Sequence, residues 1–263
     1  MTSLAARTIA ALRAEHDELA AAAAAFPPAQ IEGPSGASDW TVAQVFSHLG
    51  SGAEIMLAVF RAGLGEGTAP GDGFNERVWD RWNALSPAAQ ATGAIESNAA
   101  LVAALEAVRP EQYDEIAINP GFLPEPLPLA SFAGMRLSEA AHHGWDIRVA
   151  ADPAAALLPS SAGLMAEHLA GGLTFFLGFI AKTGAVREPA VVEVAGTPYR
   201  IALSGEGARF TADATAATAT FHGPLEAALR LLAGRLKPQH TPADVKVTGN
   251  VTLDDLRAVF PGF

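Results

Sequence analysis

The apolar residues of this chain keep one period up to about residue 184 and another after it, and that change limits the fold more than any other feature. Leu4, Ile9, Leu12 and Leu19 recur at helical intervals, as do Val42, Val45, Phe46, Leu49 and Ile55. Residues three and four apart share one face of a helix, so these stripes predict helices that bury one side. Beyond Gly184 to Pro189 the segments become short and β-rich: Val191–Val194, Tyr199–Leu203, Ala208–Thr211 and Ala219–Phe221. Gly- and Pro-containing turns at 195–198 and 204–207 separate them. Helices followed by strands predict an α+β chain, with a helical domain over residues 1–184 and a smaller α/β domain over 185–263.

Within the first part, helices are expected over about 3–25, 41–62, 74–84, 87–108, 127–149 and 160–182. Phe26-Pro27-Pro28 ends the first. Asp39 suits an N-cap for the second, and Ser86 followed by Pro87 suits the start of another. In the second part a helix over 225–236 precedes a short strand at 245–247. Thr252 with Asp255 forms a capping-box pattern for a last helix ending near Phe260. Gly63 to Gly73 contains G-x-G but follows no strand, so it is not read as a dinucleotide or phosphate loop. The stretch 109–127, with Pro110, Pro120, Pro124 and Pro126, is long for a plain connection and reads as a functional loop.

Bulk properties remove several function classes. The net charge is −11 and no Lys/Arg cluster interrupts it, so neither nucleic acid nor an anionic membrane surface is an expected partner. There is no Cys, so any thiol chemistry needs a thiol from outside the chain. Charges at Arg7, Arg13, Glu15, Asp17 and Glu18 break up any leader-like apolar run near the N-terminus. The strongly apolar run around 173–181 is short of the ~20 residues a membrane span needs. A cytoplasmic, soluble monomer or homodimer is expected.

The chemistry concentrates in S-E-A-A-H-H-G-W-D, residues 138–146. Glu139 and His143 are four apart and fall on one helix face, with Asp146 two turns beyond Glu139. A carboxylate and an imidazole so placed are a typical part of a first-row metal site, and His48 in V-F-S-H-L-G is the candidate third ligand. Asp146 is either a fourth ligand or the group that orients an imidazole. His142 competes with His143, being three residues from Glu139. The plainer alternative is a surface Glu139–His143 pair with His48 as a core histidine. Arg77 and Arg81 are candidates to hold an anionic substrate during catalysis, or else belong to a solvated helix face. His16 reads as an exposed or capping residue of the first helix.

At these positions the chain resembles a family. H-L-G in the second helix, E-x-x-x-H-x-x-D in the later one, and H-G-P-L-E-A-A-L-R-L-L-A-G-R near the end are similar to the mycothiol-dependent maleylpyruvate isomerases. The resemblance implies a DinB-like four-helix bundle followed by a sterol-carrier-like α/β domain. It implies His48, Glu139 and His143 as ligands of a divalent metal, zinc first, and mycothiol as thiol cosubstrate. It implies an isomerase or thiol S-transferase acting on a small electrophile or diacid. A metal-dependent hydrolase and a non-enzymatic metal- or lipid-binding protein are the competing functions.

Overall fold

A computed structural model of the chain describes residues 2–262. It divides into two compact units, one ending at Ala155 and one beginning at Ala156.

The first unit is built on four long helices: α1 (Leu4–Ala25), α3 (Val42–Gly63), α5 (Pro87–Glu106) and α6 (Leu129–Arg148). The shorter α2 (Pro28–Ile31) and α4 (Phe74–Asn83) lie between them in sequence. Three of the four long helices start where a side chain can satisfy an orphan N–H group of the first turn. Ser3 accepts from Ala6 N and Ser86 from Ala89 N. Thr41, rather than Asp39, caps α3, in a reciprocal box with Gln44. The cap therefore sits two residues later than expected. Helix α6 follows Pro128 directly, with no side-chain cap.

Packing follows the apolar stripes. Val42, Val45, Phe46 and Leu49 of α3 are fully buried and share a cluster with Leu19, Trp82, Ala94 and Ile147. Fully burying each large apolar side chain contributes roughly 1.5–3 kcal/mol. Gly50 allows a close helix approach: a Cβ there would run into the Trp82 ring and come within 2.9 Å of Ala94 Cα. Deeper along α3, Phe60 stacks on Phe132 of α6 with ring centroids 6.0 Å apart. The Pro-rich connection is pinned by a two-residue antiparallel ladder, β1 (Ala117–Ile118) with β2 (Leu127–Pro128), whose Ile118 is fully buried. Among the described residues α3 is the one unbroken helix long and apolar enough to cross a membrane, and half of that stretch is buried inside the structure.

The second unit opens with α7 (Pro159–Leu169) and α8 (Leu177–Ile180). They are two helical pieces bent by 85° and not the single helix expected over 160–182. Gly171 and Gly172 follow the last turn of α7, and Gly171 N and Leu173 N both bond back to His168 O, which terminates the helix. Five strands follow: β3 (Ala190–Val194), β4 (Arg200–Ser204), β5 (Gly207–Thr211), β6 (Ala219–His222) and β7 (Lys246–Gly249). Their order is β5-β4-β3-β6-β7, antiparallel except for the parallel β3–β6 pair. Alternation puts Val192, Val194, Ile201, Phe210 and Phe221 on the buried face. The remaining helices are α9 (Leu225–Leu232) and α10 (Leu253–Val259), the latter opened by the expected Thr252–Asp255 box.

The division between units falls about thirty residues before the change of period expected to mark it at 184/185. The reason is that α7 packs on α9 and β5, and α8 packs on β5. Residues 156–184 are helical like the bundle, yet their apolar faces are buried against the sheet unit.

Candidate metal centre

Helices α3 and α6 cross where each carries a polar residue on an otherwise apolar face. His48 Nε2 of α3 lies 2.9 Å from Glu139 Oε2 of α6. His143 Nε2, one turn after Glu139, lies 3.7 Å from the same oxygen. One ligand atom from each of these three side chains falls within 4.8 Å of the other two. His48 and Glu139 keep 36% and 42% of their side-chain exposure, so the cluster opens to solvent, whereas His143 keeps only 14%.

Asp146 is not part of that convergence. Its carboxylate is fully buried and lies 2.9 Å from His143 Nδ1. Nδ1–H donates to the carboxylate, which leaves the Nε2 lone pair of His143 directed toward Glu139 and His48. His142 faces elsewhere: its Nδ1 lies 3.0 Å from Ser138 O, and the ring is buried. Geometry thus separates the two adjacent histidines.

A second layer lies beneath. Arg136, three residues before Glu139, is 2% exposed. Its Nη2 donates to Leu49 O and to Asn98 Oδ1, both at 2.9 Å. Asn98 in turn places Nδ2 3.3 Å from His16 Nδ1. His16 is therefore a buried member of an inter-helix network and not the exposed residue its helix suggests. Burial lowers the Arg136 pKa to about 10, although Glu139 opposes the shift. At Glu139, partial desolvation at the helix crossing pushes the carboxyl up. The hydrogen bond with His48 and the charges of His143, His48 and Arg136 outweigh that push and hold it below the usual carboxylate range. An ionised carboxylate, one imidazole tautomer fixed by Asp146 and a second imidazole within reach form an N/O donor set suited to a divalent first-row ion.

Arg77 and Arg81 lie on α4 and are not in this cluster. Arg77 Nη1 donates to Asp72 O at 3.2 Å, and Arg81 pairs with Glu54, which also accepts from Trp82 Nε1. A residue that sequence reasoning passed over is in contact: the Trp40 ring lies 5.3 Å from that of His48 and 6.0 Å from that of His143.

The mycothiol maleylpyruvate isomerase N-terminal domain family matches residues 12–148, more than half of the chain and a span that includes every residue of this cluster. The chain belongs to that family. Two solved structures resemble it along their whole length. They are the crystal structure of the mycothiol-dependent maleylpyruvate isomerase and that of a histidine-to-alanine mutant of it. Each is 16% identical, covers 100% of both chains, and gives TM-scores of 0.65 and 0.64 respectively. At that identity the likeness establishes the fold. No curated protein matches the chain. For this family member, the helical part expected to resemble a four-helix bundle and the mixed α+β class are both present.

Proposed function

We propose that this family member is a metal- and thiol-dependent enzyme, an isomerase or S-transferase acting on a small electrophile with mycothiol as the thiol. The observation that carries this reading is the convergence of His48, Glu139 and His143 in a chain of this family. Three protein donors leave a coordination position for a non-protein ligand, the pattern of a catalytic site. A bound divalent cation, zinc first, would supply Lewis acidity that lowers the pKa of a thiol.

The chain's own residues do the rest. His48, Glu139 and His143 would hold the cation, and Asp146 keeps His143 in the tautomer with a free Nε2. The chain has no Cys, so a thiol nucleophile has to come from the cosubstrate. In the isomerase case the thiolate sulfur adds to one carbon of a carbonyl-conjugated double bond. The former double bond rotates, and the same thiolate leaves, so no atom is gained or lost. If a proton is taken up in place of that elimination, the adduct is the product and the enzyme is a transferase. Maleylpyruvate, named in the family description, is the first substrate to test.

Metal analysis of the purified protein beside His48→Ala tests the centre. Metal content should fall to background in the variant, and an unchanged content would remove His48 from it. Incubation with mycothiol and an electrophile panel, followed by absorbance for isomerisation and mass spectrometry for adducts, separates the two reactions. Neither product with any divalent metal would overturn the enzymatic reading.

A further inference from the structure

The two histidines of the centre are supported unequally. His143 has Asp146 behind it. His48 has no counterpart: its Nε2 faces Glu139, and among the described residues no protein group hydrogen-bonds its Nδ1. Ligating imidazoles ordinarily gain their orientation from a bond at the other ring nitrogen. What touches the His48 ring instead is aromatic. Its centroid lies 5.3 Å from Trp40, with the planes tilted by 50°, and 4.5 Å from His143. Trp40 also stacks nearly parallel to His143, at 17°. Trp40 is 39% exposed, so its place over the histidines is not explained by burial in the core.

The loop that carries Trp40 is fastened tightly. Val42 N donates to Gly33 O, and both Ser35 N and Ser35 Oγ donate to Trp40 O, the latter at 2.8 Å. Trp40 N donates to Ala37 O. Ser38 is held at φ +37°, a left-handed conformation that a non-glycine residue adopts only when its surroundings enforce it. The loop is tied to α6 where Gly36 N donates to Asp146 O at 2.8 Å. A Cβ on Gly36 would lie 2.7 Å from Val149 Cγ1 and 3.0 Å from Asp146 Cα, so only glycine lets the loop sit this close. Asp146 thus orients His143 through its carboxylate and anchors the Trp40 loop through its carbonyl.

We propose that Trp40 is a positioning residue of the centre, clamping the ring planes of His48 and His143 so that the ligand set is formed before the ion arrives. The inference rests on the reading that this cluster binds a divalent cation. Preorganised ligands bind more tightly because less side-chain freedom is lost on binding.

The test is zinc affinity, measured by competition with a chromophoric chelator, and the absorption spectrum of the cobalt(II) form. Wild type, Trp40→Ala, Trp40→Leu and Trp40→Phe are compared. Trp40→Ala and Trp40→Leu should weaken zinc binding by about 10-fold or more, the size of effect seen when a ligand's orienting partner is removed. Their cobalt bands should shift, and Trp40→Phe should restore most of both. Wild-type affinity and spectrum in Trp40→Ala would overturn the proposal while leaving the metal centre standing. Failure of the wild type to bind zinc or cobalt would remove the centre and the proposal together. If Trp40→Ala does not fold, by circular dichroism, Trp40→Leu carries the same expectation. If both unfold while Trp40→Phe binds as wild type, Trp40 is a stability residue and the positioning role is lost.

Discussion

The buried carboxylate of Asp146 accepts the Nδ1–H of His143 at 2.9 Å, from one turn further along the same helix. This single bond decides which nitrogen of His143 is available at the cluster. Asp146→Asn keeps the volume but loses the charge that favours one tautomer. It should weaken zinc binding by about 10–100-fold. Chelator competition measures this, and an unchanged affinity would show that His143 is oriented by other groups.

Gly50 of the H-L-G motif is a packing residue. Gly50→Ala improves helix propensity by about 0.5–1 kcal/mol. It also drives a methyl into Trp82 and toward the Ala94 backbone, an overpacking cost of about 1–3 kcal/mol. Urea denaturation should show net destabilisation, with a lower midpoint than wild type.

His16 predicts acid sensitivity. Burial, followed by the nearby Arg13 charge, lowers its pKa from 6.5 in the folded protein. Above 6.5 both folded and unfolded states hold it neutral. As pH falls through 6.5 the unfolded state takes a proton that the folded state refuses until a lower pH, so stability is lost across that window. His16→Asn preserves an acceptor toward Asn98 and cannot titrate. Denaturation curves on either side of pH 6.5 should show a shallower pH dependence in the variant; equal slopes would count against a buried, neutral His16.

The second unit has its own buried ion pair. Arg230 donates Nε to Glu226 Oε2 at 2.7 Å and Nη2 to Glu226 Oε1 at 2.9 Å, with the arginine side chain 3% exposed. Glu226→Ala leaves that guanidinium without its counter-charge, at a cost of about 3–5 kcal/mol. Thermal unfolding should register the loss in the transition of this unit.

Much of the candidate site was legible because its parts are local. Glu139, His143 and Asp146 lie on one helix, where spacing alone fixes which side chains share a face. The caps at Ser86 and Thr252 and the strands after residue 189 are local in the same sense. His48 stood out only as a polar residue beside an apolar stripe. The sequence does not say that α3 crosses α6 at that level. Helix α7 looked like part of the bundle because period reports that a segment is helical, not which core its apolar face joins.

By itself, then, the sequence determined the long helices of the first unit, the strands after residue 189, their order along the chain and the intra-helical pairing at 139–146. Backbone hydrogen bonding and side-chain periodicity act over a few residues, so a short stretch encodes them. The tertiary structure alone decided the rest. It brought His48 to Glu139, set His143 rather than His142 beside that carboxylate, buried His16 and laid Trp40 over the two imidazoles. These relationships join residues up to 103 positions apart, as between Trp40 and His143. They arise only when packed helices fix a crossing and a loop closes on Asp146, conditions no local window contains.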